Sequence, residues 1–466
     1  MKPNILLVTI DSLREDHVGW SSCVRDTTPN LSSLAAQGTI FDCAYAAGPS
    51  TPFSFPAILA GSTPLMYGGA ALLSDDRTRL AEVLQDAGYF TVGIHANSFL
   101  SRKRGYGKGF DLFRDYEDAN KRLLRWGVSL RARLRRIPIL DFAFRTLAYH
   151  MEARKEETLY WSAQTQNELL VQDLAEREDQ RPFFAWIHYM DVHVPYLPPR
   201  DALRGVGVPA TSRLKAAFLN AKAIAAAGRM SDREIRQLIN LYDAAIWDMD
   251  RRIGELLERL GTQGDLENTC IVLTADHGDE FGEHGVFSHD TEPFSRRGCR
   301  LRDGLLHVPL LVISPQEGQA SRFSQQVSLV DLPSTVVDLA GISSLPSDWQ
   351  GRSLVPALRN GDLEDVVCFS EYSTAAGKRL VSAQLEGRWK FVQDEESGAE
   401  RFYDLERDPS ESATVPVGQH GEVRQRLHDA IDGHLSDMAG TGTPGAPSSE
   451  EDKLIREKLR DLGYVD

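Results

Sequence analysis

The chain has 466 residues, 42% hydrophobic and 26% charged, which suits one large α/β domain with a smaller companion and an ordinary globular composition. Its net charge of −15 argues against a general nucleic-acid surface while leaving room for a local basic cleft. The 5 cysteines have no Cys-x-x-Cys spacing, which argues against a disulfide framework or a zinc ribbon and fits a reducing compartment.

Residues 5–10 form a continuous apolar run, the pattern of a strand buried on both faces of a parallel sheet. The run is too short for a signal peptide and has no small-residue cleavage site after it. No segment approaches the ~20 apolar residues needed to cross a bilayer. The expectation is a cytoplasmic protein. Asp11 ends the first strand, and in open α/β sheets ligands collect beyond the carboxyl ends of the strands. A metal ligand and a simple loop cap both fit it. Thr28-Pro29-Asn30 then opens a helix over residues 31–38, with Gly38 as its terminator.

Residues 46–61 crowd Ser50, Thr51 and Ser54 into a Gly/Pro segment that leads into a short helical run. A hydroxyl at a helix N-terminus sits in positive potential beside free N–H groups, which favours an incoming phosphate or sulfate. A metal-bound alkoxide is a competent nucleophile. The plainer role for these residues is N-capping.

Residues 121–150 alternate arginine with Leu, Ile, Trp and Phe. They could lie on an anionic membrane surface as a peripheral contact. A surface helical hairpin also fits, and Pro138 with irregular apolar spacing favours it. Residues 181–190 read as another buried strand, whose tip brings Asp191 and His193 to the same edge as Asp11. An imidazole there can protonate a departing alkoxide or hold a substrate oxygen. Residues 232–260 have apolar side chains at helical spacing (Leu238, Tyr242, Ile246, Met249, Ile253), assigned to packing.

Residues 271–275 form a further buried strand that delivers Asp276 and His277 where it should stop. If this strand runs parallel to the first, Asp11 and Asp276 share a rim. One anionic oxygen and one neutral nitrogen suit a divalent cation such as Mn²⁺, Zn²⁺ or Mg²⁺, although Asp-His-Gly also serves as a turn. The 282–285 turn and His289 can fold over this rim, with His284 as a loop stabiliser. Residues 366–372, 378–385, 389–393 and 400–404 read as an antiparallel meander followed by a helix at 421–438. Residues 440–449 form a Gly/Pro/Ser linker and 450–463 a polar terminal helix.

Asp11-Ser12-Leu13-Arg14, Thr28-Pro29-Asn30-Leu31, Leu34-Ala35-Ala36-Gln37-Gly38, Pro182-Phe183-Phe184, His193-Val194-Pro195-Tyr196, Thr274-Ala275-Asp276-His277-Gly278 and Trp389-Lys390-Phe391 occur in one order from about residue 3 to residue 410. This ordered set resembles the sulfatase family, within the alkaline-phosphatase-like superfamily of metal-dependent hydrolases and transferases. The resemblance implies a large mixed, mostly parallel sheet sandwiched by helices. It implies a catalytic domain at 1–345 with an insertion at about 100–180, a C-terminal α+β subdomain of antiparallel sheet at 346–438, and a linker with terminal helix at 439–466. It also implies a substrate contact for His193, and places Arg296, Arg297 and Arg300 near the position of a substrate lysine.

The departures bear on mechanism. Typical sulfatases carry Cys-x-Pro-Ser-Arg, whose Cys becomes formylglycine; counting back from Gly61 sets Thr51-Pro52-Phe53-Ser54-Phe55 on that motif. No formylglycine can form at a threonine. A Thr there is similar to the nucleophile of the superfamily's phosphodiesterases and phospholipid-headgroup transferases. Ser12 replaces the second family Asp, and Gly93-Ile94-His95-Ala96-Asn97 replaces Gly-Lys-Trp-His.

The expectation is therefore a hydrolase of sulfate or phosphate esters using one divalent cation (Mn, Zn, Ca or Mg) held by Asp11, Thr51, Asp276 and His277. Thr51 and His193 are the expected catalytic residues, and Arg14, Asn97, His193 and His289 the substrate-binding ones. The substrate would be an anionic ester of a small molecule, glycan or lipid. The alternatives are a phosphodiesterase or a phospholipid-headgroup or phosphoglycan transferase, and a non-catalytic membrane- or glycan-binding protein that kept the fold.

Overall fold

The computed structural model describes residues 2–115, 145–150, 161–289 and 301–439, apart from 22, 24, 68, 71, 178–180, 226–229, 318–319, 360, 362, 374–378, 396 and 417. Most of the basic segment at 121–150, the arginines 296, 297 and 300, the linker and the terminal helix lie outside the described residues.

The apolar runs become a nine-stranded sheet because strands with no polar face can be buried on both sides. Its strands are β1 (Asn4–Ile10), β2 (Thr39–Tyr45), β3 (Phe90–His95), β4 (Leu112–Asp115), β5 (Phe183–Tyr189), β6 (Thr269–Ala275), β7 (His307–Ile313), β8 (Ser321–Phe323) and β9 (Val327–Ser328). They lie in the order β4-β3-β5-β1-β6-β7-β2-β8, with β9 also on β2. The five strands from β4 to β6 are parallel. β7 runs antiparallel to both β6 and β2. The sheet is thus mixed and mostly parallel, with helices covering it, as the sequence leads one to expect.

Register decides what arrives at the rim. Ile10 pairs with both Tyr189 and Ala275, so the next residues, Asp11, Met190 and Asp276, leave three adjacent strands at one level. Of two short helices, α2 (Thr51–Ala60) starts at that rim, while α1 (Pro29–Ala35) packs on the helix Asp232–Thr262. α1 stops at Ala35 rather than at Gly38, because the backbone tightens into i→i+3 bonds there. The helix Asp232–Thr262 has the expected amphipathic character and buries Leu238, Tyr242, Ile246, Met249 and Ile253. Of the segment 100–180, β4 extends the sheet edge and the helix Ala163–Ala175 packs on β3 and β5.

The C-terminal meander is a four-stranded antiparallel sheet, β10 (Cys368–Ser373), β11 (Arg379–Leu385), β12 (Trp389–Asp394) and β13 (Glu400–Asp404). The helix Gly421–Ala439 covers one face of it through Leu427 and Ile431, against Val381, Ala383, Phe391 and Phe402. β10 also holds the chain that leads to α2: Glu371 N–H donates to Ala47 O (2.8 Å) and Ser370 Oγ to Ala46 O (2.7 Å). The second sheet therefore braces the approach to Thr51.

Candidate active site

Thr51 is the first residue of α2, with Ser50 in extended backbone before it and Pro52 in the first turn. Proline fits there because that N–H would have no intrahelical partner anyway. Ser54 donates its hydroxyl to Asp276 O (2.5 Å), fastening the helix start to the end of β6. The Thr51 hydroxyl then faces Asp11 Oδ2 at 3.3 Å and His277 Nε2 at 3.5 Å. Asp11, Thr51, Asp276 and His277 are separated by up to 266 positions in sequence and meet in one fully buried cluster.

Hydrogen bonds fix the orientation of each group. Asn97 Oδ1 accepts from Phe99 N–H (2.9 Å), so its NH₂ must face Asp11 Oδ2 (3.2 Å) and Thr51 Oγ1 (3.3 Å). His277 Nδ1 lies 2.8 Å from Gly278 O, which can only accept, so Nδ1 carries the hydrogen and Nε2 presents a lone pair. That lone pair faces Asp276 Oδ2 at 3.4 Å and Asp11 Oδ1 at 3.7 Å. Ser12 adopts left-handed backbone (φ 62°), uncommon for a non-glycine, and its hydroxyl donates to Asp11 Oδ1 (2.8 Å). Tyr242 OH secures the same turn by donating to Ser12 O (2.7 Å).

The electrostatics match this crowding. Burial pushes the Asp276 carboxyl up to about 7, and the Asp11 charge adds to it. Burial would raise Asp11 too, but His193, His188 and His277 hold it well below the usual carboxylate range. Asp11 is thus the more readily ionised member of the pair and Asp276 the less. Burial, then the neighbouring His289, pulls His277 down to about 4, keeping its imidazole neutral. Asp276 Oδ2 has no hydrogen-bond donor. Two carboxylates, one with an unpartnered oxygen, and a bare imidazole nitrogen converging are the ligand set of a divalent cation, so the residues fit the group that the sequence implies.

His289 and His193 close the pocket, with ring centroids 5.0 Å apart and His289 4.2 Å from His277. His289 Nδ1 lies 3.2 Å from Asp279 Oδ1, and Tyr196 OH donates to the other Asp279 oxygen. His193 Nδ1 is 2.5 Å from Val194 O. Asp11, His193 and His289 each place one donor atom within 4.8 Å of the others. His284 bonds to Glu280 and Ser410 O, as a loop stabiliser should.

Two expected residues have other employment. Arg14 pairs with Asp16 (2.8 Å) and Glu283 (2.6 Å), donates to Asp279 O (2.9 Å) and lies over Phe281. It ties the loop after β1 to the loop after β6. Asp191 accepts from Ala163 N–H with both oxygens (3.1 Å) and so caps the helix Ala163–Ala175; burial pushes it up to about 6. Asp279 and His188 were not anticipated. Asp279 follows Asp276-His277-Gly278 closely enough to have been considered, and His188 is the single imidazole in an otherwise apolar strand.

The sulfatase profile matches residues 3–342, and a profile for the N-sulphoglucosamine sulphohydrolase C-terminal region matches residues 282–436. An arylsulfatase of Clostridium perfringens is 25% identical over 92% of this chain and 92% of its own length. The solved phosphonate monoester hydrolase of Agrobacterium radiobacter superposes with a TM-score of 0.67, at 18% identity, covering 94% of this chain and 96% of its own. A further structure, solved with its substrate D-glucosamine-2-N,6-O-disulfate, superposes with a TM-score of 0.71 at 18% identity, covering 96% of this chain and all of its own.

Proposed function

Because this chain belongs to the sulfatase family of ester hydrolases, we propose that it cleaves a sulfate or phosphate ester with Thr51 as the nucleophile. The observation that carries this is the Thr51 hydroxyl, buried at a helix N-terminus and 3.3 Å from Asp11 Oδ2, inside a cluster otherwise made of acceptors. A divalent cation held by Asp11, Asp276, His277 and Thr51 would lower the pKa of that hydroxyl and draw charge from a non-bridging ester oxygen.

The chain's own groups supply the rest. Thr51 gives up its proton along the hydrogen bond to Asp11, and Oγ1 forms a bond to sulfur or phosphorus as the ester bond on the opposite side breaks. The Asn97 NH₂ and the positive end of α2 hold the anionic oxygens. Asp279 holds His289 with its Nδ1–H fixed, and His289 with His193 stands where the leaving oxygen takes up a proton. In the second half, water or an acceptor alcohol loses a proton to the imidazole that protonated the leaving oxygen. Its oxygen bonds to the central atom as the bond to Thr51 Oγ1 breaks, and Oγ1 recovers its proton from Asp11.

Thr51 itself favours a phosphorus ester within this class. A single hydroxyl has no second oxygen through which to eliminate the bound group, so release requires another displacement at the central atom. Phosphodiester cleavage or headgroup transfer is compatible with that, and the substrate is then an anionic ester on a glycan, lipid or small molecule. Paired assays on aryl sulfate and aryl phosphodiester substrates, with and without a chelator, test the proposal. Cleavage of either that is lost in Thr51→Ala and on chelation is expected. Thr51→Ala turning over as the unaltered chain does would overturn the proposal, and unchanged ligand binding without turnover in either protein would identify a binding protein.

A further inference from the structure

One level below the rim, the central strands carry buried polar side chains within a largely apolar sheet. Thr9 of β1, His188 of β5 and His95 of β3 are paired in register, and all three are fully buried. The Thr9 hydroxyl has three neighbours. Trp186 Nε1–H, which can only donate, points at Thr9 Oγ1 from 3.0 Å. His188 Nδ1 also lies 3.0 Å away, and Ile187 O lies at 3.3 Å. The other ring nitrogen, His188 Nε2, faces Asp11 Oδ2 at 3.4 Å. The edge of Phe55 from α2 packs on the same imidazole, with ring centroids 4.9 Å apart.

We infer that His188 is a positioning residue for Asp11, donating from Nε2 to the Asp11 carboxylate while the Thr9 hydroxyl donates to Nδ1. His277 is held with a lone pair toward carboxylates because its Nδ1 faces a carbonyl. His188 Nδ1 faces a hydroxyl that can donate, so in the cation-free chain His188 can turn Nε2–H toward Asp11 and avoid that repulsion. With the proton on Nε2, the closer of the two Thr9 acceptors, Nδ1, takes the Thr9 hydrogen and Trp186 fills a Thr9 lone pair. Asp11 Oδ2 then has two hydrogen-bond donors, Asn97 and Thr51, and the His188 Nε2–H beside it at 3.4 Å, outside good hydrogen-bond alignment in the cation-free chain. Thr51 gives up its hydrogen in the proposed reaction, so Asn97 and His188 are what keep Asp11 aimed when the nucleophile is ionised. Outer partners of this kind tune ligand orientation and basicity, and their loss typically weakens metal affinity about 10–100-fold.

This inference rests on the proposed cation site, and the test separates the two. Affinity for Mn²⁺ and Zn²⁺ is measured calorimetrically on the full chain for the unaltered protein, His188→Leu, His188→Gln and Thr9→Val, with thermal melts to establish that each is folded. His188→Leu is expected to weaken affinity at least about 10-fold. His188→Gln, which presents an N–H donor near the Nε2 position, is expected to restore it to within about 3-fold, and Thr9→Val to fall between. Equal loss in the Leu and Gln variants overturns the inference, because it makes His188 a direct ligand. Unchanged affinity in a folded Leu variant also overturns it while leaving the cation site standing. If His188→Leu does not fold, the folded Thr9→Val variant decides: an unchanged affinity there overturns the inference. An unaltered chain that binds neither ion overturns the cation site and the inference together.

Discussion

Two buried clusters of charge in this molecule are built on opposite plans. In the C-terminal sheet, Lys390 and Glu411 are both fully buried and lie 2.9 Å apart, and the second Glu411 oxygen accepts from Asp303 N–H (2.7 Å). Opposite charges there stand side by side, with the Asp303 carboxyl as a third member that Lys390 also stabilises. At the rim of the large sheet, Asp11 and Asp276 crowd together with a neutral imidazole lone pair, and Asp276 Oδ2 has no donor. The first arrangement contains its own cation, Lys390, and ties β12 to the segments that follow β13 and precede β7. The second is completed only by a ligand of positive charge, and that incompleteness is what marks it as a site.

Substitutions should separate the two plans, beginning with the largest effect. Thr51→Ala should lower kcat at least about 10³-fold with the fold intact, since no neighbouring group can replace the nucleophile; steady-state kinetics with circular dichroism checks this. Lys390→Met should leave the rim chemistry alone but cost roughly 3–5 kcal/mol of stability, because Glu411 stays buried without its partner. Denaturant titration measures that loss.

Asp276→Asn should do the reverse, abolishing cation binding while removing a source of instability. In the chelated protein the Asp276 carboxyl is raised from 3.8 to about 7 on folding. The folded state therefore holds an extra proton between those values, and stability falls as pH rises from about 4 to about 7. Other buried groups titrate in the same window, so melts test the difference: chelated Asp276→Asn should gain stability relative to the unaltered chain as pH rises from about 4 to about 7. Asp279→Asn should have a smaller effect, lowering kcat about 10–100-fold and more for poor leaving groups than for activated aryl ones, because His289 loses the acceptor that fixes its tautomer. The smallest effect is expected for Arg14→Gln, about 1 kcal/mol in stability, since Asp16 is half exposed and Glu283 a third exposed.

How much of this was legible beforehand follows the same division. Strands buried on both faces announce themselves as apolar runs, so β1, β5 and β6 and the polar residues just beyond them could be read directly. The parallel pairing of β1 and β6 then brings Asp11 beside Asp276, and a threonine ten residues before a helix-ending glycine supplies the fourth member. Asp191 misled because any carboxylate at a strand tip fits the same pattern; only the packing of the helix Ala163–Ala175 shows that it is a cap. Arg14 divides its guanidinium between Asp16, two positions away, and Glu283, 269 positions away, and only the second partner needs the fold to be seen. His188 was invisible because its significance comes from register: it matters through being opposite Thr9 and below Asp11, which no local pattern reveals.

The central claim is that Thr51 forms a bond to the group transferred. Acid-quenched turnover followed by peptide mapping by mass tests it most directly. A phosphoryl or sulfuryl adduct located on Thr51, present during turnover and absent in Thr51→Ala, is the predicted result. An active chain that shows no adduct, or carries it on another residue, would contradict the account.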